Sequence, residues 1–199
     1  MTRHVPVLVA GGGPVGMTLA LELARRGVRC LLAERNPATT QHPKMDITNA
    51  RSMELFRRLG VADALRAVAV PEDSNFDVAW ITTLAGHELH RFRYPSVEDW
   101  RQLIRETNDG TMPAEPSMRV SQVEIEPVLQ RAVLAHPLVE ARWGVAFEDL
   151  AQDAGGVTAT LRRAADGGTE RVRCAWLAGC DGGTSAVRRA LGIPLEGQA

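Results

Sequence analysis

The segment Val7–Glu34 constrains the fold of this 199-residue chain more than any other part of its sequence. The apolar run Val7–Ala10 predicts a buried parallel strand, and the turn that follows it, Gly11–Gly16, has the pattern G-x-G-x-x-G. A helical stripe comes next, formed by Met17, Ala20, Leu21 and Ala24. A second apolar strand, Val28–Ala33, then closes on Glu34. This order is typical of a dinucleotide-binding βαβ unit, in which the terminal acid accepts hydrogen bonds from the adenosine ribose.

The glycine turn has a separate use for each position of its pattern. Gly11 supplies the tight turn, Gly13 lets the backbone approach a pyrophosphate, and Gly16 lets helix and strand pack closely. The helix N-terminus, at Pro14 and Val15, points free N–H groups at the phosphates. The alternative is a glycine turn with a purely structural use, and the strand, helix and acid around it favour dinucleotide binding.

Net charge, cysteine spacing and histidine spacing limit the partners, the location and the kinds of site that we expect. The net charge is −1, so the sequence provides no electrostatic case for binding nucleic acid or an anionic membrane. We see no apolar signal segment at the N-terminus and no run of membrane-spanning length, and we place the protein in the cytoplasm. Cys30, Cys174 and Cys180 lack C-x-x-C spacing, and we expect reduced thiols, buried where the cysteines lie in apolar runs. The histidines form no metal-ligand pattern, so we assign no metal site.

The rest of the chain predicts an α/β fold with a parallel sheet, helices and a three-stranded antiparallel meander. The helices are expected at Asn49–Leu59, Val61–Val68, Ser96–Arg105, 121–133 and Ala186–Leu191. The strands are expected as a hairpin of Phe76–Thr83 and His87–Phe92, then Leu138–Trp143, Val145–Gln152, Val157–Arg163 and Val172–Ala178. Ser121 and Glu124 have capping-box form, so Pro127 requires the helix either to start later or to kink.

Three further motifs extend the pattern along the chain. They are Asn49–Gly60 after His42-Pro43-Lys44, Arg119–Gln122 before a helix, and Ala178–Gly182 followed by Ser185 and Val187-Arg188. With the first fingerprint, they resemble the single-component (class A) FAD-dependent aromatic monooxygenases of the 4-hydroxybenzoate hydroxylase and 3-(3-hydroxyphenyl)propionate hydroxylase type. The resemblance implies a Rossmann-like FAD-binding domain and FAD as cofactor.

The resemblance also implies roles for individual residues. In the family, an arginine at the Arg51 position lies near the FAD pyrophosphate and the approach of the nicotinamide cofactor. A glutamine at the Gln122 position contacts the ribityl region of the flavin, and Arg119 belongs to the same cofactor-binding motif. An Asp-Gly pair like Asp181-Gly182 lies near the pyrophosphate and serves both FAD and NAD(P)H binding.

Each of these residues also has an ordinary structural interpretation. Arg51 could be an exposed helix arginine, and Gln122 a first-turn residue beside a capping serine. Asp181-Gly182 could be a plain strand-to-helix turn. Arg35 either stacks on the adenine or is a solvated charge. Trp80, Trp100 and the apolar strand residues could contact substrate, although packing in the core is the expected role for most of them.

By resemblance, NAD(P)H reduces FAD, and a flavin C4a-hydroperoxide formed with O2 transfers one oxygen atom to a small aromatic, phenolic or polycyclic, polyketide-like substrate. Baeyer–Villiger insertion stays open, as do the choice between NADH and NADPH and a homodimer. No catalytic residue is assigned. Residues 1–74 and 119–199 are expected to form the FAD-binding domain and 75–118 an excursion towards the substrate domain. Family members are longer, so we expect the N-terminal portion of a larger enzyme or a truncated product.

Two other functions compete with a monooxygenase. An NAD-dependent dehydrogenase shares the opening fold, but it predicts repeated βαβ units after Glu34, where the sequence instead predicts helices, a hairpin and a meander. A cofactor-binding fragment without turnover is the third hypothesis, because the family's third motif, a Gly-Asp pair, is not visible before Ala199.

Overall fold

A computed structural model describes residues 2–42 and 44–197, so Pro43 of the His42-Pro43-Lys44 motif lies outside the described residues. In the described residues the elements are β1 (Thr2–Ala10), α1 (Pro14–Arg25), β2 (Cys30–Glu34), β3 (Ile47–Thr48), α2 (Ala50–Arg58), α3 (Ala62–Arg66), β4 (Val78–Ile81), β5 (Glu88–Phe92), α4 (Val97–Thr107), β6 (Met118–Arg119), α5 (Gln122–Ala135), β7 (Val139–Trp143), β8 (Val145–Asp153), β9 (Gly156–Arg163), β10 (Thr169–Gly179) and α6 (Ala186–Ala190).

Contacts divide the chain into two compact units. The first comprises Met1–Gln41 and Glu126–Ala199, and the second is His42–Ile125. The predicted excursion, 75–118, lies inside the second unit but is shorter than it. This division does not test the assignment of residues 1–74 and 119–199 to one domain, so the predicted domain boundaries stay a prediction.

The first unit is built on a six-stranded sheet with the order β7-β2-β1-β10-β9-β8. Strands β7, β2, β1 and β10 are parallel, whereas β9 and β8 continue from β10 in antiparallel pairs. This confirms the predicted α/β fold with a parallel sheet and a three-stranded meander. The second strand of the fingerprint thus lies on one side of β1, and the strand that ends at Gly179 lies on the other.

Strand β1 is longer than the apolar run that predicted it. Residues Val7–Ala10 pair with both β2 and β10 and are buried, as the sequence predicts. The first residues, from Thr2, pair with β10 alone and alternate between exposed and half-buried. A half-covered stretch needs no continuous apolar run, so the strand begins earlier than hydrophobicity alone indicates.

The core of the first unit joins the parallel and antiparallel parts of the sheet. Its buried cluster contains Leu8, Leu31, Ala33, Val145, Ala159, Leu161, Val172 and Cys174. Cys30 is also buried, and burial raises the pKa of its thiol to about 11. Cys30, Cys174 and Cys180 are free, and the first two are buried as expected.

Helix α5 begins at Gln122 and continues through Pro127 to Ala135. The alternative in which it starts after the proline is therefore wrong. In the described residues the Ser121 hydroxyl accepts from the amide of Val123 at 3.3 Å, one residue before the Glu124 amide that a capping box uses. The ring of Pro127 removes one backbone donor in the second turn, and the helix is maintained around it.

In the second unit, the predicted hairpin is formed by β4 and β5, paired antiparallel. Trp80 packs edge-on against Phe92, with ring centroids 5.1 Å apart, yet 48% of Trp80 is exposed. In the described residues Trp80 therefore lies outside the core, on a hairpin whose residues are mostly exposed. Helix α4 has a capping box between Ser96 and Asp99, and its first turn is acidic as predicted.

A largely buried ion pair joins the last residue of helix α3, Arg66, to Glu115 in the second unit. Only 7% of the Arg66 side chain is exposed, and its Nη2 donates to Glu115 Oε2 and to the carbonyl of Pro116, both at 2.9 Å. A further ion pair joins Glu72 to Arg101. Across residues 2–42 and 44–197, no helix has the length and apolar character needed to cross a lipid bilayer.

Candidate functional site

Three parallel strands of the first unit end at the same edge of the sheet. Ala10 ends β1, Glu34 ends β2 and Gly179 ends β10, with β1 between the other two strands. The chain leaves β1 towards β2 through α1, while β10 joins on the opposite side. Such a reversal of strand order creates a crevice at the carboxyl ends of the strands, where α/β sheets bind ligands.

Two glycines of the fingerprint are required by the chain itself. Gly11 has φ +109°, and a Cβ there would overlap the carbonyl oxygen of Cys180. A Cβ on Gly16 would overlap the carbonyl oxygen of Gly11, so the first turn of α1 packs directly on the end of β1. The tight turn and the close packing expected of these two positions are therefore both present.

Gly13 differs, because the chain provides no reason for a glycine there. Its φ of −73° and ψ of −178° suit any residue, and a Cβ built on it meets nothing within 4 Å. The space above Gly13 is open on the protein side. This is the arrangement expected where a bound group, and not the protein, occupies the volume of the missing side chain.

The N-terminus of α1 faces this open space with its donors uncapped. Gly13 is the N-cap residue and Pro14 the first helical residue, no side chain of the described residues caps the helix, and its first turn contains no acid. Val15, the next residue, is 71% exposed. A twelve-residue helix that presents uncapped N–H groups and a positive dipole end is suited to a phosphate.

Glu34 lies beside the glycine turn as the fingerprint predicts. Its Oε2 accepts a hydrogen bond from the amide of Gly12 at 2.6 Å, and its Oε1 accepts from the amide and the side-chain Nδ2 of Asn36 at 2.8 and 2.7 Å. The sequence analysis missed both partners. Arg35 is exposed and makes no hydrogen bond or ion pair within the described part of the chain, so its side chain is available for stacking on a ligand.

Asp181 lies where β10 passes into α6, and it is engaged by that helix. Its Oδ1 accepts from the Ser185 hydroxyl at 2.5 Å, and its Oδ2 accepts from the amides of Ala186 and Val187 at 2.6 and 3.2 Å. Burial raises the pKa of Asp181, but these hydrogen bonds outweigh it and hold the pKa below its usual value. Asp181 is therefore a carboxylate with a structural role, next to Gly182 at the carboxyl end of β10.

The second unit contains the three remaining predicted residues, each with a partner of its own. Arg51 is exposed on α2 and pairs with Glu54 at 3.1 Å, as its ordinary interpretation expects. Arg119 makes two hydrogen bonds with Asp46, at 3.1 and 3.0 Å.

Gln122 is buried at the start of α5, and its Oε1 accepts from the amide of Lys44 at 3.1 Å. Lys44 lies between β2 and β3, so this buried amide side chain holds a segment that is 78 residues away along the chain. Within the first unit, the structure brings Gly11, Gly13, Gly16, Glu34 and Asp181 to one edge of the sheet; Arg51, Arg119 and Gln122 lie in the second unit.

Comparisons with known proteins agree with this geometry. A family model described as an FAD binding domain matches residues 4–199. The FAD-dependent monooxygenase apdD of Emericella nidulans is 43% identical over 192 residues, which cover 96% of this chain and 31% of that protein. The 6-methylpretetramide 4-monooxygenase of Streptomyces rimosus is 40% identical over 197 residues, which cover 97% of this chain and 31% of that protein.

A solved structure shows the same likeness in three dimensions. The flavin-dependent monooxygenase PieE, in complex with FAD and substrate, superposes with a TM-score of 0.86 at 35% identity, over 98% of this chain and 33% of that one. The chain thus spans about a third of the length of these relatives. The comparisons confirm the resemblance that the sequence motifs indicate.

Proposed function

Because this chain belongs to the FAD binding domain family, we propose that it forms the FAD-binding part of a monooxygenase that hydroxylates an aromatic, phenolic or polyketide-like substrate. NAD(P)H and O2 are the proposed co-substrates, the cytoplasm is the proposed location, and a homodimer is the proposed assembly. The observation that carries the proposal is the open space over Gly13, which faces the uncapped N-terminus of α1 beside Glu34.

The residues of the first unit fit a dinucleotide. We assign the pyrophosphate to the amides that follow Gly13, at Val15 and Gly16, because uncapped helix N-termini stabilise phosphate charge. We assign the adenosine ribose to Glu34, whose Oε2 lies beside the Gly12 amide, and the adenine to the exposed Arg35. Gly11 and Pro14 form the turn and the first helical residue that bring these groups together.

The other assigned residues have the roles that the family resemblance implies. Gln122 and Arg119 are proposed to serve the ribityl region, and Arg51 the pyrophosphate and the approach of NAD(P)H. Asp181 and Gly182 are proposed to line the pyrophosphate from the end of β10. Support for Asp181 is indirect: its carboxylate fixes the turn into α6, so its expected contribution is to the shape of the edge.

When bound, FAD accepts electrons from a nicotinamide and passes them to O2, which is chemistry that these side chains cannot supply. The chain's own contribution is to hold and orient the cofactor. We propose that residues 1–74 and 119–199 do this and that 75–118 begin a substrate domain. The exposed hairpin of β4 and β5, which lies within 75–118, supports that division.

Calorimetric titration of the purified chain with FAD and with NAD tests the proposal. Tight FAD binding without NAD binding is expected, since the sheet continues as a meander and not as the repeated βαβ units of a dehydrogenase. NAD binding without FAD would instead favour the dehydrogenase, and binding of neither would refute the proposed cofactor site. NADPH oxidation above the rate of free flavin would distinguish turnover from cofactor binding alone.

A further inference from the structure

The Glu34 carboxylate is unusually well occupied by the chain itself for a group proposed to bind a ligand. A carboxylate has about four acceptor positions. Oε1 accepts two hydrogen bonds, both from Asn36, and Oε2 accepts one from the amide of Gly12. One acceptor position, on Oε2, therefore remains for a ligand.

Gly12 brings Oε2 to the edge of the site. A Cβ on Gly12 would lie 2.6 Å from the Cβ of Glu34, so only a glycine lets the turn lie directly against this side chain. The Gly12 amide then fixes Oε2 at 2.6 Å, immediately before the open space over Gly13. The remaining acceptor position of Glu34 is thus on the oxygen nearest the glycine turn.

The main chain of Asn36 is itself fixed by a hydrogen bond. Its carbonyl accepts from the amide of Gly144 at 2.9 Å, in the turn between β7 and β8. The position of Asn36 is therefore set by the sheet, and its side chain reaches back two residues to Glu34. No motif of the fingerprint contains Asn36.

We propose that Asn36 is a positioning residue for the adenosine half of FAD. By occupying Oε1 with two donors, it fixes the Glu34 carboxylate so that Oε2 alone accepts a ribose hydroxyl. The proposal rests on the proposed FAD site, and it adds a residue that acts only through Glu34.

A double-mutant cycle tests whether Asn36 acts through Glu34. The variants are Asn36→Ala, Asn36→Asp, Glu34→Ala and the double variant Asn36→Ala/Glu34→Ala, with FAD affinity measured by calorimetry. Asn36→Ala is expected to raise the Kd for FAD about three- to tenfold, the effect of one exposed hydrogen bond to a charged acceptor. Asn36→Asp is expected to raise it further, because a second carboxylate beside Glu34 repels the first. In the Glu34→Ala background, Asn36→Ala should have no further effect.

Two ligands separate positioning from general damage to the fold. ADP carries the adenosine ribose and should lose affinity by the same factor as FAD, whereas FMN lacks that ribose and should keep its affinity. The unfolding midpoint of each variant without flavin should match the parent within about 2 °C, and Asn108→Ala, at an exposed asparagine of the second unit, is the matched control.

Three results would overturn the inference alone: an unchanged Kd for FAD in Asn36→Ala, an equal loss for FMN, or the same loss in the Glu34→Ala background. If the parent chain binds neither FAD nor ADP, the proposed site fails and the inference fails with it. The parent titration therefore distinguishes the two failures.

Discussion

Replacing Gly13 by valine is expected to leave the fold intact and to abolish FAD binding. In the chain, a Cβ at this position meets nothing within 4 Å, and the extended backbone, φ −73° and ψ −178°, is one that valine readily adopts. Losing a glycine at a compatible site is slightly stabilising, and losing it at an N-cap slightly destabilising, so the free energy of unfolding should change by less than about 1 kcal/mol.

The effect of Gly13→Val on FAD binding is expected to be much larger than its effect on stability. The two methyl groups of valine would occupy the space over the N-terminus of α1 that the pyrophosphate needs. Overlap with a phosphate held by the backbone amides cannot be relieved without moving the helix, and a loss of at least about 3 kcal/mol, or a hundredfold in Kd, is expected.

Gly16→Ala is the matched control, since it changes a glycine three residues away in the same turn. Its Cβ would overlap the carbonyl oxygen of Gly11 and lie 3.3 Å from the Cβ of Cys180, so the fold must shift. A destabilisation of about 1–3 kcal/mol or more is expected from such overpacking.

Urea unfolding followed by circular dichroism gives the free energy for all three proteins, and calorimetry gives the Kd for FAD. The reasoning is refuted if Gly13→Val lowers stability as much as Gly16→Ala does. It is refuted equally if Gly13→Val binds FAD within threefold of the parent.

Three further predictions concern stability and can be measured by urea unfolding. Because the folded pKa of Asp181 lies below its unfolded value of about 4, its carboxylate stabilises the fold at neutral pH, and this contribution is lost as pH falls from about 4 through the folded pKa. Asp181→Asn should therefore lower stability by about 1 kcal/mol at pH 7 and converge with the parent in acid; a constant difference down to pH 2 would contradict this. Arg66→Ala should cost about 2–4 kcal/mol, because the largely buried Glu115 would lose its 2.9 Å partner and keep only the longer pair with the exposed Arg57, at 3.6 Å. Arg163→Ala, which removes an exposed pair, should cost under about 1 kcal/mol, and equal costs would contradict the argument from burial. Ser96→Ala should cost about 1 kcal/mol through the lost cap of α4, and Ser96→Thr, which keeps a hydroxyl that can accept from the Asp99 amide and donate to its carboxylate, should recover most of it.

The sequence predicted those parts of the fold that depend on residues close together along the chain. The stripe of α1 and the run of β1 repeat with the period of the element, so a few adjacent residues reveal each one. The ladder of Ile47–Thr48 with Met118–Arg119 is two residues long, too short for any period, and its partners lie about seventy residues apart. It escaped prediction for that reason. The exposure of Trp80 also escaped prediction, because the hydrophobicity of a side chain does not show whether other residues of the chain cover it.

The difference between near and distant contacts also explains which residues of the candidate site the sequence could predict. Gly11, Gly16 and Glu34 meet one another within one βαβ unit, so their spacing is enough to place them at one edge of the sheet. Asn36 lies only two residues from Glu34, but it stands outside the fingerprint, so the spacing of that motif does not predict their contact. The hydrogen bond from the Gly144 amide to the Asn36 carbonyl joins residues more than a hundred positions apart, which no local pattern predicts. Gly13 is the reverse case: the pattern singles it out, yet the folded chain makes no use of its missing side chain. A glycine that the sequence pattern requires and the fold does not is best explained by a ligand, and this is why Gly13 carries the assignment of the cofactor site.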